Sequence, residues 1–267
     1  LDEQHWDRAA SAIMTTDTFP KGASERFEIA GETVVITGIS KGAGMIQPNM
    51  ATMLGFLATD AKISQALLQS SLTQAVEKSF NRITVDGDTS TNDACTLLAS
   101  GASAAPLIQL GTPEYDVFAA ALDRVCKRLA ELIVRDGEGA AKLMRIVVDQ
   151  ASNSEEAVQV AKTIAHSPLV KTAFFASDPN WGRILAAVGR AGVINMDLDV
   201  IEIFLGEVCI VRNGGRAETY TEAAGQQVMN QAEITITVRL GRGSAIEEVL
   251  TCDFSYDYVK INAEYRT

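Results

Sequence analysis

The sequence predicts a mixed α/β fold with layered helices and strands, and three observations support this prediction. Residues 115–134 place apolar side chains at helical spacing. Several short runs rich in β-branched residues are bounded by glycine and polar turns, as strands are. After Gly192 the chain becomes β-rich, and Ile234–Leu240 alternates apolar with polar residues. Because no strand-helix-strand unit repeats, a layered α+β sandwich is favoured over a Rossmann fold.

The first half of the chain alternates between helix and strand. Two β-rich runs joined by Ala30, Gly31 and Glu32 predict a hairpin. A helix is expected where apolar residues recur at helical spacing after Ile63. The predicted elements are a helix over 3–13, strands over 27–30 and 33–37, a buried strand over 52–59, a helix over 63–82 and a short buried strand over 95–98.

The second half contains more strands. The predicted elements are helices over 115–134, 154–165, 180–189 and 222–230, and strands over 143–149, 170–175, 200–205, 208–211, 233–240 and 247–254. Asn153 or Ser154 is the expected cap of one helix, because short polar side chains accept a hydrogen bond from the first helical turn. The long helix is expected to end at Asp136 and Gly137.

The composition argues against several classes of function. The chain has 267 residues, 47% of them hydrophobic, as a globular protein has. Its formal charge is −11, its pI is near 4.7, and no cluster of Lys and Arg interrupts this acidity. Binding to nucleic acid or to an anionic membrane surface is therefore not expected.

The cysteines and the absence of apolar segments predict a cytoplasmic protein. The four cysteines are far apart and form neither a CxxC pair nor a zinc spacing, so buried free thiols are expected: Cys95, Cys126, Cys209 and Cys252. Free thiols suit a reducing compartment. No signal peptide opens the sequence, and no apolar run reaches membrane-spanning length.

Histidine and metal chemistry are not expected. The two histidines, His5 and His166, both lie near predicted helix ends, which makes a Ser-His-Asp triad or a histidine metal site a poor hypothesis. His166 is expected at a helix C-terminus, where a positive charge suits the dipole.

Polar and glycine-rich segments offer few binding motifs. The run over 86–93 lacks the glycine and glutamate of a calcium loop, so a polar turn is favoured, although such a run can also line an active site. The glycines at 42 and 44 lack the third glycine of a dinucleotide fingerprint.

Ala51 and Thr52 follow a glycine-rich turn and a proline, and an apolar run comes directly after them. In one interpretation Thr52 is an ordinary strand residue. In the other it is a nucleophile released when the Ala51–Thr52 peptide bond breaks, with a new α-amino group beside its own hydroxyl. That pairing activates a hydroxyl without a histidine.

Glu138 lies between Gly137 and Gly139, just after the long predicted helix. The residues alone favour a helix end that stops at glycine. The alternative is a carboxylate that meets a ligand ammonium closely, because neither neighbour has a side chain to block the approach.

Long motifs along the whole chain carry a family resemblance. They are Ala12–Lys21, Lys41–Leu54, Asn81–Asp93, Val134–Ala140, Asn180–Arg183 and Tyr258–Thr267. In these segments the sequence resembles the ornithine acetyltransferase family of arginine biosynthesis, whose members are also called bifunctional glutamate N-acetyltransferase / amino-acid acetyltransferase.

The resemblance implies a self-cleaving precursor. Family members cut themselves between the alanine and threonine of this motif, here Ala51 and Thr52. The resemblance implies an α portion that ends at Ala51 and a β portion that starts at Thr52. Together with the change to β-rich sequence after Gly192, this predicts three parts: residues 1–51 as the end of the α chain, residues 52–192 as the β-chain core with the nucleophile, and residues 193–267 as a β-rich portion completing the pocket. The implied fold is a layered αββα sandwich with a smaller C-terminal α/β portion. The implied assembly is a heterotetramer of two α and two β chains.

The resemblance also implies a ping-pong mechanism. The Thr52 hydroxyl attacks the acetyl carbonyl of N²-acetylornithine, ornithine leaves, and glutamate takes the acetyl group from the acetyl-threonine ester. The free α-amino group is the expected general base, because a terminal amine has a pKa of about 7.7–8.0. No cofactor is implied. Acetyl-CoA is a second acetyl donor in bifunctional members, and no motif here decides whether it is used.

Substrate contacts are implied position by position. Lys41 would pair with the substrate carboxylate or hold the ligand near the nucleophile. Thr15 would supply a hydroxyl, an assignment that Thr16 and Thr18 leave open. The remaining contacts would come from Thr52 itself, from Glu138 to the ligand's amino group, and from Asn262 and Thr267, which would close the pocket. Without the resemblance, Asn262 reads as a strand-end residue.

The sequence begins without a methionine and runs straight into a predicted helix, so it is expected to begin in the middle of a larger polypeptide. Family members carry a preceding segment that contributes a Thr-Gly oxyanion hole, and no residue here is assigned that role. Two alternatives stay open. One is a self-processing amidase or aminopeptidase, in which water replaces glutamate. The other is an inactive, truncated relative.

Overall fold

The chain divides into two compact units. A computed structural model describes residues 5–47, 53–90 and 92–265. The first unit is residues 1–137 and the second unit is residues 138–267. The described ranges contain eight α-helices and ten strands in two sheets, which confirms the mixed α/β class. The predicted boundaries, at 51 from chain processing and at 192 from the change to β-rich sequence, stay predictions.

The first unit is built on a four-stranded sheet in the order β1-β2-β3-β4, in which β3 and β4 are parallel and the other neighbours antiparallel. Its elements are α1 (Trp6–Ala12), β1 (Lys21–Ile29), β2 (Glu32–Lys41), β3 (Leu54–Thr59), α2 (Gln65–Glu77), a 3-10 turn (Phe80–Arg82), β4 (Ala94–Ala99) and α3 (Pro113–Arg135).

The predicted hairpin is confirmed as the β1–β2 pair. Its two turn residues, Ala30 and Gly31, have φ angles of +51° and +83°. Two successive residues with positive φ match the right-handed twist of the flanking strands, and glycine adopts that conformation without steric cost.

The long predicted helix is confirmed as α3, which packs on β1 and β2. Pro113 occupies its first turn, and the Thr112 hydroxyl accepts a hydrogen bond from the Tyr115 N–H. Phe118 and Leu122 are fully buried on the face that meets the sheet. This helix therefore fixes β1 and β2, and β2 ends at Lys41, one of the predicted substrate-binding residues.

Two details of the first unit differ from the prediction. The segment predicted as one helix over 63–82 is divided into α2 and the 3-10 turn. The strand predicted over 95–98 is present as β4, but its predicted burial is wrong, since Leu98 is 70% exposed while Leu97 is buried. Successive side chains of a strand point to opposite faces of the sheet, and in β4 the face that carries Leu97 is the more buried one.

The second unit is built on a six-stranded sheet in the order β10-β5-β9-β6-β7-β8, with β5 and β9 parallel and the other neighbours antiparallel. Its elements are β5 (Leu143–Ala151), α4 (Ser154–Ala165), α5 (Pro168–Phe175), α6 (Trp181–Gly189), β6 (Glu202–Leu205), β7 (Val208–Arg212), β8 (Gly215–Arg216), α7 (Glu222–Met229), β9 (Glu233–Arg239), β10 (Ala245–Cys252) and α8 (Tyr256–Glu264).

The strand predicted over 170–175 is wrong, because this segment is the helix α5. The Ser167 hydroxyl caps it by accepting from the Val170 N–H, and Pro168 stands in the first turn. Val170, Ala173 and Phe174 then fall on one buried face at helical spacing. A short apolar run of this kind suits a strand and a helix equally well, and the Ser167 cap favours the helix.

The core of the second unit is one apolar cluster. Side chains from β5, β9 and β6 meet side chains from α4, α5 and α6 there. Ile146, Ile236, Ile164 and Phe174 are each at most 1% exposed within it. This continuous apolar packing holds the sheet and its helices together.

Candidate functional site

Three strands of the first unit end or begin at the same place. The register pairs Lys41, the last residue of β2, with Leu54, the first of β3, and pairs Leu54 with Ala94, the first of β4. Met53 and Asp93 therefore directly precede this row on neighbouring strands. In the sequence, the predicted nucleophile Thr52 directly precedes Met53. Ala51 and Thr52 themselves lie outside the described residues, as does Thr267.

Two of the predicted substrate-binding residues touch at this end of the sheet. The Lys41 ammonium donates a hydrogen bond to the Thr15 hydroxyl oxygen at 2.9 Å. Thr18 is engaged elsewhere, since its hydroxyl and its N–H both donate to the Asp136 carboxylate. Of these two hydroxyls, the one that contacts Lys41 is therefore that of Thr15. Its role toward a substrate stays a prediction.

A buried ion-pair cluster holds these two residues in place. The Lys21 ammonium is fully buried and lies 2.5 Å from an oxygen of Asp17 and 2.5 Å from an oxygen of Asp136. Asp17 also accepts from the Thr15 N–H at 3.1 Å and from the Gly42 N–H at 2.8 Å. The Asp17 carboxylate therefore links Thr15, which contacts Lys41, to Gly42, which follows Lys41 in the sequence.

The electrostatics of Asp17 favour its charged form. Burial acts to raise the pKa of this carboxyl, but hydrogen bonds from the Gly42 N–H and from Lys21 outweigh burial, so its pKa is lowered. Sequence reasoning missed the cluster of Asp17, Lys21 and Asp136. The spacing of Asp17 and Lys21, four residues apart in a motif of the family, was the available signal.

The polar run over 86–93 begins as the predicted turn. The Asp86 carboxylate accepts from the N–H groups of Met45 at 2.6 Å, Ile46 at 3.0 Å and Asp88 at 3.1 Å. Burial raises its pKa despite these bonds. The turn reading is confirmed for this part, and its role is to fix the loop that follows Gly44.

Asp93, at the far end of the same run, is in a different environment. Both of its carboxylate oxygens are buried, and neither receives a well-aligned hydrogen bond from another described residue. They adjoin a cavity of about 20 Å³ whose lining includes Met53, Asn81 and Cys95. Burial raises the pKa of Asp93 to about 7, against lowering contributions from the Met53 backbone and Lys41. The sequence indicated that this run could line a site, but it did not single out Asp93.

In the second unit, Glu138 and Asn262 are in contact. The Asn262 side-chain amide donates to the Glu138 carboxylate at 2.8 Å and to the Tyr258 carbonyl oxygen at 3.0 Å. Asn262 lies in α8, so reading it as a strand-end residue is wrong: Ser255 caps a helix here by accepting from the Asp257 N–H. The structure thus brings together the two residues that the resemblance implied on this side of the chain.

Gly139 allows α8 to approach this pair. Its φ is +70°, and a Cβ added there would lie 2.5 Å from the Tyr258 nitrogen and 2.6 Å from the Ser255 hydroxyl. The glycine after Glu138 therefore serves both a left-handed turn and a close helix contact. This backbone requirement brings the turn that carries Glu138 against the start of α8.

His166 differs from its prediction. It lies at the C-terminus of α4 as expected, but burial, with Lys162, Lys171 and Arg190 nearby, lowers its pKa to about 4. The imidazole is neutral at pH 7, so the predicted favourable charge on the helix dipole is wrong. Among the described residues, no group of three or more His, Cys, Asp or Glu side chains is arranged to hold a metal ion.

The described helices offer none that could cross a membrane, because each is too short or too polar. Of the four thiols, Cys126 and Cys252 are buried and Cys95 and Cys209 are half-buried.

Comparison with known proteins identifies the family. The model of the ArgJ family matches residues 1–267, and the chain belongs to that family. Two curated relatives are called "Arginine biosynthesis bifunctional protein ArgJ". The one from Methylococcus capsulatus is 63% identical over 267 residues, all of this chain and 65% of the relative. The one from Pseudomonas fluorescens is 58% identical over 270 residues, all of this chain and 66% of the relative. The resemblance to the ornithine acetyltransferases is thereby confirmed at the level of the family.

A solved structure agrees with the fold. The crystal structure of arginine biosynthesis bifunctional protein ArgJ from Bacillus halodurans has a TM-score of 0.77 and 40% sequence identity, and the match covers 80% of this chain and 100% of that chain. The present chain spans about two thirds of the length of the curated relatives it matches, 65% and 66% in the two cases.

Proposed function

We propose that the whole protein containing this chain is an acetyltransferase of arginine biosynthesis. It moves the acetyl group of N²-acetylornithine to glutamate after cutting itself between Ala51 and Thr52. The support is membership of the ArgJ family and the names of the relatives, which act in arginine biosynthesis and are bifunctional. Because the relatives are longer than this chain, the activity is proposed for the complete polypeptide.

One observation carries the proposal: the contact between Lys41 and Thr15 at 2.9 Å, at the sheet end where β3 begins two residues after Thr52. Lys41 supplies a positive charge and Thr15 a hydroxyl, which are suitable partners for the α-carboxylate of an amino acid. In the buried ion-pair cluster, Asp17 accepts hydrogen bonds from the N–H groups of Thr15 and of Gly42, the residue after Lys41. Thr15 and Lys41 are therefore positioned before a ligand binds.

The chemistry needs two acyl transfers and no cofactor. The Thr52 oxygen forms an ester bond to the acetyl carbon, and the C–N bond to ornithine breaks with a proton passing to the ornithine nitrogen. The glutamate amine then attacks the ester, gives N-acetylglutamate and returns a proton to the Thr52 hydroxyl. Covalent storage divides one difficult exchange into two similar steps. The Thr52 α-amino group serves as the base in both.

Glu138 and Asn262 are the residues proposed to bind the amino group of the ligand. A carboxylate held by an amide at 2.8 Å is oriented to receive a ligand ammonium. Thr267 is proposed to close the same pocket. The proposed assembly is a heterotetramer of two α and two β chains. Use of acetyl-CoA as a second acetyl donor stays open within the proposal.

The test uses the full-length protein. Intact mass under denaturing conditions is expected to show two chains that meet at Ala51/Thr52, and acetyl transfer from N²-acetylornithine to glutamate is followed by product analysis. Thr52→Ala is expected to stay uncut and to lose transfer, because it lacks the attacking oxygen. Thr33→Ala, an exposed threonine of β2, is the matched control that should process and transfer normally.

Three outcomes contradict the proposal. Transfer that persists in Thr52→Ala excludes the threonine nucleophile. Release of free acetate without N-acetylglutamate indicates an amidase. Ligand binding without any turnover of the wild type indicates an inactive relative.

A further inference from the structure

The hairpin at the edge of the second unit's sheet borders a polar cavity. β7 and β8 are antiparallel, with Arg212 paired to Gly215, and β8 ends the strand order of this sheet. Asn213 and Gly214 form the turn between them, with φ angles of +52° and +71°. The cavity has a volume of about 340 Å³, within the range of about 300–1,000 Å³ that small-molecule sites have, and all of its lining lies within residues 212–219. The proposed acetyl transfer uses none of these residues.

Arg216 is a cation of this lining without an ion-pair partner in the described part of the chain. Its guanidinium lies over the Tyr220 ring, 5.0 Å from the ring centroid, and donates a hydrogen bond to the Tyr220 carbonyl oxygen at 3.2 Å. A guanidinium has five N–H donors in a planar fork that matches a carboxylate. Because one bond to a carbonyl occupies few of these donors, Arg216 can still bind an oxyanion in the cavity.

Tyr220 holds the Arg216 side chain in a fixed position. Tyr220 is 4% exposed, and its hydroxyl donates to the Glu222 carboxylate at 3.1 Å. Gly225 of α7 allows the ring to lie this close to the helix, since a Cβ added there would be 2.5 Å from the Tyr220 hydroxyl oxygen. The guanidinium therefore rests on a rigid ring before any ligand binds, and this lowers the entropic cost of binding.

The other two charged side chains of the lining differ from each other. Arg212 is already paired with a carboxylate, because its Nε donates to Glu202 at 2.7 Å. Glu218 is exposed, and its carboxylate has no hydrogen bond or ion pair with any residue that the structure describes. The cavity thus presents one cation and one carboxylate, Arg216 and Glu218, whose charges are not compensated by described neighbours.

We propose that this cavity binds a free α-amino acid. Arg216 binds the α-carboxylate through its guanidinium fork, and Glu218 binds the α-ammonium group. A ligand with a carboxylate alone would bring a like charge beside Glu218, and a ligand with an amine alone would bring one beside Arg216. A zwitterion complements both side chains. This inference goes beyond the proposed acetyl transfer and does not rest on it.

The test is hydrogen–deuterium exchange of the full-length protein with L-serine as the probe, because serine is not a substrate of the proposed reaction. Millimolar L-serine is expected to slow amide exchange in the segment over 212–220. Two matched ligands each lack one charge: 3-hydroxypropionate has no amine, and ethanolamine has no carboxylate. Each should need a concentration about tenfold higher or more for the same protection, because each loses one charged pair.

Variants of the two charged residues locate the site. Arg216→Gln and Glu218→Gln should each raise the half-saturating concentration of L-serine about tenfold or more. Arg190→Gln is the matched control: it removes an exposed arginine of the same unit, outside the cavity, and should leave that concentration unchanged. If Arg216→Gln does not fold, Glu218→Gln decides, since it changes an exposed side chain.

Three results overturn the proposal. The first is unchanged exchange of this segment in the wild type with L-serine. The second is protection by 3-hydroxypropionate or ethanolamine that equals protection by L-serine, because the cavity would then not recognise both charges of an amino acid. The third is wild-type affinity for L-serine in Glu218→Gln.

Discussion

Both units of this chain have an apolar core, and they differ in the buried groups that surround it. The second unit is organised by one apolar cluster that joins the sheet to α4, α5 and α6. The first unit buries a lysine between two carboxylates, with side chains that are at most 1% exposed, beside the loop that carries Thr15. Apolar packing is non-directional and tolerates small shifts, whereas a buried ion pair requires fixed geometry. The comparison teaches that the first unit positions Thr15 and Lys41 through charge, and the predictions below test that difference.

The largest expected effect follows from removing the buried lysine. Lys21→Met should lower the free energy of unfolding by about 3–5 kcal/mol, because Asp17 and Asp136 would be left buried without their cation. Urea unfolding measures it. Arg124→Met is the control: the Arg124–Glu25 pair is also short, but Arg124 is 58% exposed, so less than about 1 kcal/mol is expected. Equal losses in the two variants would contradict a special role for the cluster.

In the second unit, the comparable change is in the apolar core. Phe174→Ala should cost about 3–5 kcal/mol, since the side chain is 1% exposed and its removal leaves a cavity. Leu98→Ala in β4 of the first unit should stay within about 0.5 kcal/mol, because Leu98 is 70% exposed. Denaturant midpoints compare the two. A large loss for Leu98→Ala would mean that this sheet face is covered in solution.

Two glycines sharpen the comparison at the level of the backbone. Gly139→Ala should cost about 3 kcal/mol, because its Cβ would meet Tyr258 and its φ is positive. Gly31→Ala has a positive φ but open space around it, so only about 1 kcal/mol is expected. Thermal unfolding gives both values. The turn at Gly139 would not depend on close packing if both changes cost the same.

The smallest effect concerns pH. The pKa of His166 is about 4 in the folded chain and about 6.5 in an unfolded one, so the unfolded state binds an extra proton between these values. The stability that the neutral imidazole contributes is present above pH 6.5 and is lost as the pH falls to about 4. For a half-buried group the loss is about 1 kcal/mol.

We therefore expect His166→Gln to lose less stability than the wild type between pH 7 and pH 4, in Tm measured across that range. His5→Gln, a change of the exposed histidine, should follow the wild type. Parallel curves for His166→Gln and the wild type would show that His166 is charged in the folded chain.

Much of the fold was predictable because local signals were strong. The β1–β2 hairpin follows from its turn residues, and α3 and α4 follow from helical spacing and caps. The prediction of a strand over 170–175 was wrong because a short apolar run suits a strand or a helix equally. The signal that favours a helix is Ser167, which caps it. The prediction that β4 is buried was wrong because burial depends on what packs against a strand, and the strand's own residues do not encode that.

The sequence by itself determined the mixed α/β class, the family and the residue types at Thr15, Lys41, Glu138 and Asn262, because these rest on periodicity and on long motifs within single segments. The tertiary structure alone decided which of them touch. Lys41 reaches Thr15 across 26 positions and Asn262 reaches Glu138 across 124. It also placed Asp136 on Lys21 across 115 positions. Contacts at such separations depend on strand register and helix packing, so no local pattern can specify them.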